Sequence, residues 1–368
     1  MQNFKLGHSS QPDWQAAIND CLSQIGEPAD SNLGFIYVTD VLTSSLGEIL
    51  RTLKDRTGLA HWVGSVGQAI LCSGHEYYEQ PAIAIMLAEF PSGSFSIFNH
   101  ADDTHHLQDS DPMAMGGLRF ALVHGDPRNG QLPGLIESLP EELGNGYLIG
   151  GLTSSDSHYY QIADDIVEGS LSGVIFSDQV QVVSGLSQGC SPIGPVHTLT
   201  KSDHHMAISI DDRPALDVFK EDIGEVLARD IDRAAGYIFA GFPVKGSDTG
   251  DYLVRNVIGI DPENNLLAIG DHMQNGVPIM FCRRDGKSAI ADMQRMLHDL
   301  KERLPGPPRG GIYISCMGRG RYLFGEDSAE MKMISDVFGD IPLIGFYASG
   351  EIAGHRLYGY TGVLTLFV

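Results

Sequence analysis

Positive charge and cysteine are what this chain has least of. Its 368 residues carry 24 Lys and Arg against 47 Asp and Glu, a formal charge of −23. A field of that sign repels phosphate backbones and anionic lipid, so nucleic-acid and membrane-surface roles are disfavoured. The five cysteines (Cys21, Cys72, Cys190, Cys282, Cys316) are odd in number and scattered, with no CxxC or CxxCH. That excludes a disulfide framework and the compact zinc and covalent-haem signatures. No stretch approaches the roughly 18 apolar residues of a membrane helix. The opening MQNFKLGHSSQPDW lacks the charged and apolar regions of a signal peptide. The expectation is a cytoplasmic protein with reduced thiols. Also missing are GxxxxGK[ST], a GxGxxG opening a helix after a strand, a GxSxG elbow and HExxH, which removes most support for nucleotide-dependent and common hydrolase classes.

What is present is a globular mixture, 42% apolar and 19% charged, of a length that suits two or three domains. The 44 glycines have no three-residue period and point to many tight turns or close backbone approaches. Strand-like runs occur at 33–40, 82–90, 118–124, 147–150, 171–176, 252–260, 266–269, 277–281, 310–317 and 360–368. A run at 180–184 follows Ser177-Asp178 closely enough for a hairpin. A helix is expected over 43–58, with Ser45 and Glu48 spaced as a capping box. Another begins at Pro214, with Leu216, Phe219, Ile223, Val226 and Leu227 at helical spacing. A third carries Ile290, Met293, Leu297, Leu300 and Leu304 and stops at Pro305-Gly306, and a fourth covers 326–338. The segment 101–112, ADDTHHLQDSDP, has no periodicity and reads as an exposed loop. Alternating strands and helices with hairpins predict an α/β or α+β fold of mixed sheets packed with helices.

One internal similarity stands out. Gly34-Phe35-Ile36-Tyr37-Val38 matches Gly311-Ile312-Tyr313-Ile314-Ser315, and each is followed by a helix and a glycine-punctuated strand end. Those ends are Val63–Ile70 and Ile344–Ile352, about 30 residues on, one strand–helix–strand unit each. The reading is a duplication: two related lobes with a boundary near Pro214, and a site within or between them.

The densest chemistry is Ser315-Cys316-Met317-Gly318-Arg319-Gly320-Arg321, closing a buried strand. Glycines around Arg319 let backbone approach a ligand, and the guanidinium is a fork for carboxylate or phosphate. Cys316 beside two arginines invites a lowered thiol pKa, and hence an enzyme with a Cys316 nucleophile, although spacing supplies no base. Arg319 could equally pair with an acid of its own domain such as Glu351. The second constellation is Gly345-Phe346-Tyr347-Ala348-Ser349-Gly350-Glu351. Its aromatics could form a wall, with Glu351 taking the amino group of an amino-acid-like ligand whose carboxylate Arg319 takes. The candidate ligand-binding residues are therefore Cys316, Arg319, Gly320, Gly345, Phe346, Tyr347, Gly350 and Glu351, with no catalytic or metal residue assigned. Two histidine clusters, Asp102-Asp103-Thr104-His105-His106 and Asp203-His204-His205, lack helical i, i+4 spacing and read as solvated loops. Single histidines such as His61, His124, His158 or His272 could ligate haem iron, with nothing to choose among them.

These residues resemble the FIST family. The similarity runs through Ser187–Cys190 and Gly194, Pro214–Val218, Ile260-Asp261, 266–276, Ser315–Gly320 and Pro342–Ile352, and more loosely through Gly150–Leu152 and the unit from Gly34. It divides the chain into an N-terminal region, 30–212, and a C-terminal region, 213–360. The resemblance implies a sensory, ligand-binding module in intracellular signalling, with amino acids proposed as ligands for the family. Its implied partner is a separate signalling protein: a histidine kinase, a cyclic-di-GMP enzyme or a chemoreceptor. Some family members are haem-containing nitric-oxide sensors, which makes haem the alternative cofactor, although no axial histidine here matches a family motif. Only about 30 residues precede the matched region, so the signal is expected to pass to a separate protein or through self-association. The first half carries Gly67-Gln68 where the second has Gly350-Glu351, which favours the C-terminal lobe for a charged ligand.

Overall fold

The computed structural model describes residues 4–28, 30–99, 119–228, 237–245 and 250–368. The predicted loop at 101–112 and the pair His105-His106 lie outside them. The chain divides into two compact units, one of residues up to Ser187 together with Met293–Val368, the other Gln188–Asp292. The boundary expected near Pro214 thus falls inside the second unit.

The first unit contains three copies of one pattern. The first copy runs β1 (Phe4–Ser9), α1 (Trp14–Ile25), β2 (Leu33–Thr39), α2 (Leu46–Thr57), β3 (His61–Gly67), β4 (Ala69–Cys72), β5 (His75–Tyr78) and β6 (Ile83–Ala88). The second runs β7 (Phe95–Asn99), β8 (Phe120–Gly125), α3 (Leu132–Glu142), β9 (Tyr147–Leu152), β10 (Gln161–Ala163), β11 (Asp165–Val167) and β12 (Leu171–Phe176). The third opens with β13 (Val182–Gln188), after which the chain makes the second unit. That unit holds β14 (Cys190–Pro192), β15 (His197–Asp203), β16 (Met206–Ile210), β17 (Arg213–Pro214), α4 (Ala215–Ala228), β18 (Ile238–Pro243), β19 (Tyr252–Asp261), β20 (Leu266–Ile269) and β21 (Pro278–Arg284). The third copy resumes with α5 (Gly286–Arg303), β22 (Gly310–Cys316), α6 (Arg321–Phe324), α7 (Ala329–Phe338), β23 (Leu343–Ala348), β24 (Glu351–Gly354), β25 (Arg356–Tyr358) and β26 (Thr361–Phe367).

Each copy contributes a parallel pair: β2 with β3, β8 with β9, β22 with β23. The chain then leaves its own sheet. β4 joins β23, β24 joins β9, and β10 joins β3, so each sheet is completed by a hairpin from another copy. The three sheet orders are β1-β6-β2-β3-β10-β11, β7-β12-β8-β9-β24-β25 and β13-β26-β22-β23-β4-β5, the same permutation three times. The duplication read from Gly34 and Gly311 is therefore two members of a threefold set, and both lie in one unit. One glycine per copy fixes the close strand approach: a Cβ on Gly64, Gly150 or Gly345 would meet the carbonyl oxygen of Ile36, Val123 or Tyr313 at 1.7, 1.9 or 1.6 Å.

The pleat sends alternate residues to opposite faces. On the inner faces Phe35, Tyr37, Leu122, Ile149, Ile312, Ile314 and Phe346 share one core drawn from all three sheets. On the outer face of the first sheet Ile36, Val38, Trp62 and Val66 pack against Ile18 of α1 and Leu46, Ile49 and Leu53 of α2. The capping box does not form: Ser45 makes no side-chain cap bond, because the chain enters α2 through a 3-10 turn at Asp40–Ser45. Nor does 180–184 make a hairpin with the strand before it; β13 crosses to lie beside β26.

In the second unit the antiparallel sheet closes on itself, β18 pairing with both β19 and β21. Its interior is filled by Leu199, Ile210, Leu267, Ile279 and Phe281, with Leu216 and Phe219 of α4 packed among them.

Candidate functional site

In a parallel strand pair the carboxyl ends are where a ligand meets loops rather than side-chain ridges. At the third copy those ends carry the two sequence motifs, Cys316–Arg321 after β22 and Ser349–Glu351 after β23.

Arg319 is fully buried, and its donors are met within the chain. Nε donates to Glu330 Oε1 at 2.8 Å, Nη1 to the Ser187 carbonyl at 3.2 Å, and Nη2 to Ser187 Oγ and Tyr313 Oη, both at 3.3 Å. Its guanidinium carbon lies 4.8 Å from the centre of the Phe324 ring. Burial opposes the charge, and Tyr313 and Glu330 more than restore it, so the guanidinium stays protonated. Glu330, also without exposure, receives Tyr313 Oη at 2.6 Å and the Gly320 amide at 2.9 Å, with Ser315 Oγ at 3.1 Å and Tyr347 Oη at 3.4 Å. The acid partner of Arg319 is thus Glu330 of α7, not Glu351, and a ligand carboxylate would have to displace it. Gly320 has φ +54°, and a Cβ there would meet Tyr78 Oη at 1.8 Å, so the position excludes side chains on two grounds. Together these bonds hold the 316–321 turn from beneath.

Phe346 and Tyr347 are both buried but face opposite ways. Phe346 stacks on Tyr37 in the inner core at 5.2 Å, whereas Tyr347 reaches the Glu330 network. The expected aromatic wall is divided by strand alternation. Gly345 serves the close approach to Tyr313, and Gly350 (φ +152°) forms the corner where the chain leaves the third sheet for β24.

Glu351, the first residue of β24, has no exposure. Its Oε2 accepts from the Thr361 amide at 3.0 Å and from Thr361 Oγ1 at 2.8 Å, while Oε1 has no hydrogen-bond partner. Desolvation pushes its pKa up to about 8, against smaller downward pulls from Thr361, Arg319 and the neighbouring Cys316. At neutral pH the carboxyl is largely protonated. Cys316 is the partly exposed residue of this group, although its sulfur is desolvated. The sulfur accepts from the Gly318 amide at 3.4 Å, yet burial and the Glu351 carboxyl raise the thiol pKa. The lowered pKa expected beside two arginines is not found, because burial of the sulfur and the neighbouring Glu351 outweigh the pull of Arg319.

The register corrects one sequence alignment. Gly64, Gly150 and Gly345 face Ile162, Ile352 and Leu71, so Glu351 corresponds to Gln161 and Ile70, and Gln68 lies two residues away. The three corners thus carry a carboxyl, an amide and an alkyl group. Gln161 is buried too, its Nε2 donating to Thr153 Oγ1 at 2.9 Å and its Oε1 unpartnered.

The haem candidates do not suit that cofactor. His124 is enclosed in the inner core, 2.9 Å from Tyr37 Oη, and burial lowers its pKa to about 3. Its Nδ1 is unpartnered, but Tyr37 and Phe346 occupy the space around the ring. His61 is paired with Asp164 at 2.9 Å, His158 stacks on Tyr160, and His272 is exposed beside His204 and His205. None of the four presents an imidazole to an apolar cavity among the described residues. A cleft of about 370 Å³ does occur near the C-terminal ends of α5 and α7, lined by Lys301, Leu304, Pro305, Pro307 and Phe338, without converging polar groups.

Comparison with known proteins agrees with the motifs. The FIST N domain family model matches residues 32–213 and the FIST C domain model residues 215–354. An uncharacterized protein of Mycobacterium tuberculosis (strain CDC 1551 / Oshkosh) is 31% identical, with 99% of each chain covered. An uncharacterized protein of Mycobacterium bovis is 29% identical over 83% of this chain and 82% of its own. No described helix is long and apolar enough to cross a membrane. With its motifs, its strand–helix–strand units and both domain matches in agreement, the chain belongs to the FIST family, whose domains are associated with sensory signal transduction.

Proposed function

We propose that this protein is a cytoplasmic sensor that binds a small amine-bearing metabolite of the amino-acid class at the edge of the third copy. The bound state would be passed to a separate signalling protein. The observation that carries this reading is Glu351 Oε1, a fully buried carboxyl oxygen with no nitrogen or oxygen donor, beside the Cys316 thiol and the partly exposed turn at Cys316–Gly318. Buried polar atoms are nearly always hydrogen-bonded, and an orphan of this kind is a vacancy for a donor. An ammonium group would supply three donors and would convert Glu351 to the carboxylate, so uptake releases a proton and strengthens as pH rises toward 8. Cys316, Gly318 and Gly350 would border the ligand, and Arg319, Gly320, Gly345 and Tyr347 position that border without touching it.

The output would pass through the same turn. Arg321 follows Gly320, lies 4.6 Å over the Tyr78 ring and 5.0 Å over that of Tyr322, and Tyr322 is exposed. A histidine kinase, a cyclic-di-GMP enzyme or a chemoreceptor would read that surface, directly or through self-association of the sensor.

Thermal unfolding against a panel of free amino acids and primary amines tests the reading. At least one compound should raise Tm in the wild type, more at pH 8 than at pH 6, and should fail to do so in Glu351→Gln. Stabilisation that survives in Glu351→Gln, or none from any compound, would contradict it.

A further inference from the structure

Three histidines in the second unit come together in a way the sequence does not announce. His204 and His205 are the two turn residues of the β15–β16 hairpin, closed by the pairing of Asp203 with Met206. His204 has φ +49°, a conformation that two-residue hairpin turns normally assign to Gly, Asn or Asp. A histidine held there is strained, and such strain gathers where a side chain is wanted in place.

The chain after β20 then brings His272 alongside. The Met273 amide donates to the His204 carbonyl at 3.0 Å and the Ile269 amide to the His205 carbonyl at 2.8 Å, so two backbone bonds tie that segment to the turn. The His272 ring centre lies 4.7 Å from that of His205 and 5.5 Å from that of His204. His205 Nδ1 donates to the Asp271 carbonyl at 3.0 Å, which fixes the tautomer and leaves the Nε2 lone pair free. All three rings are exposed, and Asp203 lies 3.8 Å from His204 Nε2.

Two imidazoles bound to one ion at about 2.0–2.1 Å, at a tetrahedral angle, have ring centres about 5 Å apart. The two observed separations bracket that value. We propose that His204, His205 and His272 form a binding site for a divalent transition-metal ion of the zinc, copper or nickel class, with Asp203 or water completing the shell. Nitrogen ligands in this number favour those ions over calcium or magnesium. No three donors among the described residues already converge on one point. Binding therefore requires rotation of the exposed His204 and His272 rings about their side-chain bonds, a motion that is fast at a surface. The site is independent of the Glu351 reading.

Titration of metal-stripped full-length protein with Cu²⁺, followed by calorimetry and electron paramagnetic resonance, tests the proposal. One ion per chain should bind with a spectrum showing several equatorial nitrogens, and Zn²⁺ should compete for it. His272→Ala and His205→Ala should each weaken binding at least tenfold while circular dichroism stays unchanged. The paired variant His105→Ala/His106→Ala should retain the site. Unchanged affinity in His272→Ala, or uptake that never saturates at one ion, would overturn the proposal.

Discussion

The first and third copies share a backbone plan and differ in what they bury between sheet and helix. In register, Ile36, Val38 and Val66 of the first copy correspond to Tyr313, Ser315 and Tyr347 of the third. The first layer is apolar, aliphatic side chains together with Trp62, and closes over α2, an arrangement stabilised by area removed from water at about 25 cal/mol per Å². The third layer surrounds a buried Arg319–Glu330 pair whose hydrogen-bonding capacity is taken up by tyrosine, serine and main chain. A buried ion pair is seldom the most stable filling for such a space. Its distinguishing consequence is positional: it bonds the Gly320 amide and anchors the 316–321 turn, whereas no charged pair is needed behind the corner that carries Ile70. The copy that departs from the apolar plan is also the one with an unpartnered carboxyl oxygen at its corner.

The largest effect that would break this contrast comes from cutting the pair. Arg319→Ala or Glu330→Ala should destabilise the first unit by about 3–5 kcal/mol in urea unfolding, since each leaves an uncompensated buried charge. The paired change Arg319→Met/Glu330→Leu should recover most of that stability yet loosen the turn, seen as faster amide exchange at Gly318–Arg321. If the single variants cost under about 1 kcal/mol, the third layer is not organised by charge.

Next comes pH. The Glu351 pKa is raised when folded, so the native state holds a proton that the unfolded chain releases. Stability from this group is fully present below its ordinary value of 4.5 and is lost as pH climbs through about 8. Relative to Glu351→Gln, the wild type should lose on the order of 3 kcal/mol between pH 5 and pH 8 in chemical denaturation. A flat difference would mean the carboxyl is solvated or paired.

A smaller effect sharpens the comparison from the other side. Val38→Ser places the third copy's residue in the first, where no Glu330 equivalent waits for the hydroxyl; a loss of about 2–3 kcal/mol is expected from the missing methyl and the unpaired oxygen. The smallest concerns the helix starts. Asp13 accepts from the Ala16 amide at 2.8 Å, so Asp13→Ala should cost about 1 kcal/mol. Ser45→Ala should cost little, as that cap is not made.

Much of the frame was legible in the sequence. Strands at 33–39, 171–176, 266–269 and 310–316 and the α5 stripe follow from unbroken apolar runs and helical spacing, and the FIST motifs picked out both carboxyl-edge loops. The second copy was harder to see, because Leu122-Val123 and Ile149-Gly150 do not repeat the Gly-Phe-Ile-Tyr pattern. The common signal was one glycine after a β-branched residue: Val63-Gly64, Ile149-Gly150 and Ile344-Gly345. The exchange of hairpins between sheets depends on non-local pairing of three- and four-residue strands, which leave almost no periodicity. In the site, the identity of Arg319's partner was hidden because Glu330 comes from the first turn of a later helix, and Glu351's burial because its neighbour Thr361 comes from another strand. The grouping of His272 with His204 and His205 is invisible for the same reason.

The central claim is that Glu351 is held desolvated and spare at the third corner, and its titration tests that most directly. Carboxyl-¹³C glutamate labelling, with the Glu351 resonance assigned by its absence in Glu351→Gln, would follow the group by NMR across pH. A midpoint near 8 is predicted. A midpoint in the ordinary range near 4.5 would contradict the account, since the oxygen would then be in contact with water or already paired, with no place left for a ligand's ammonium.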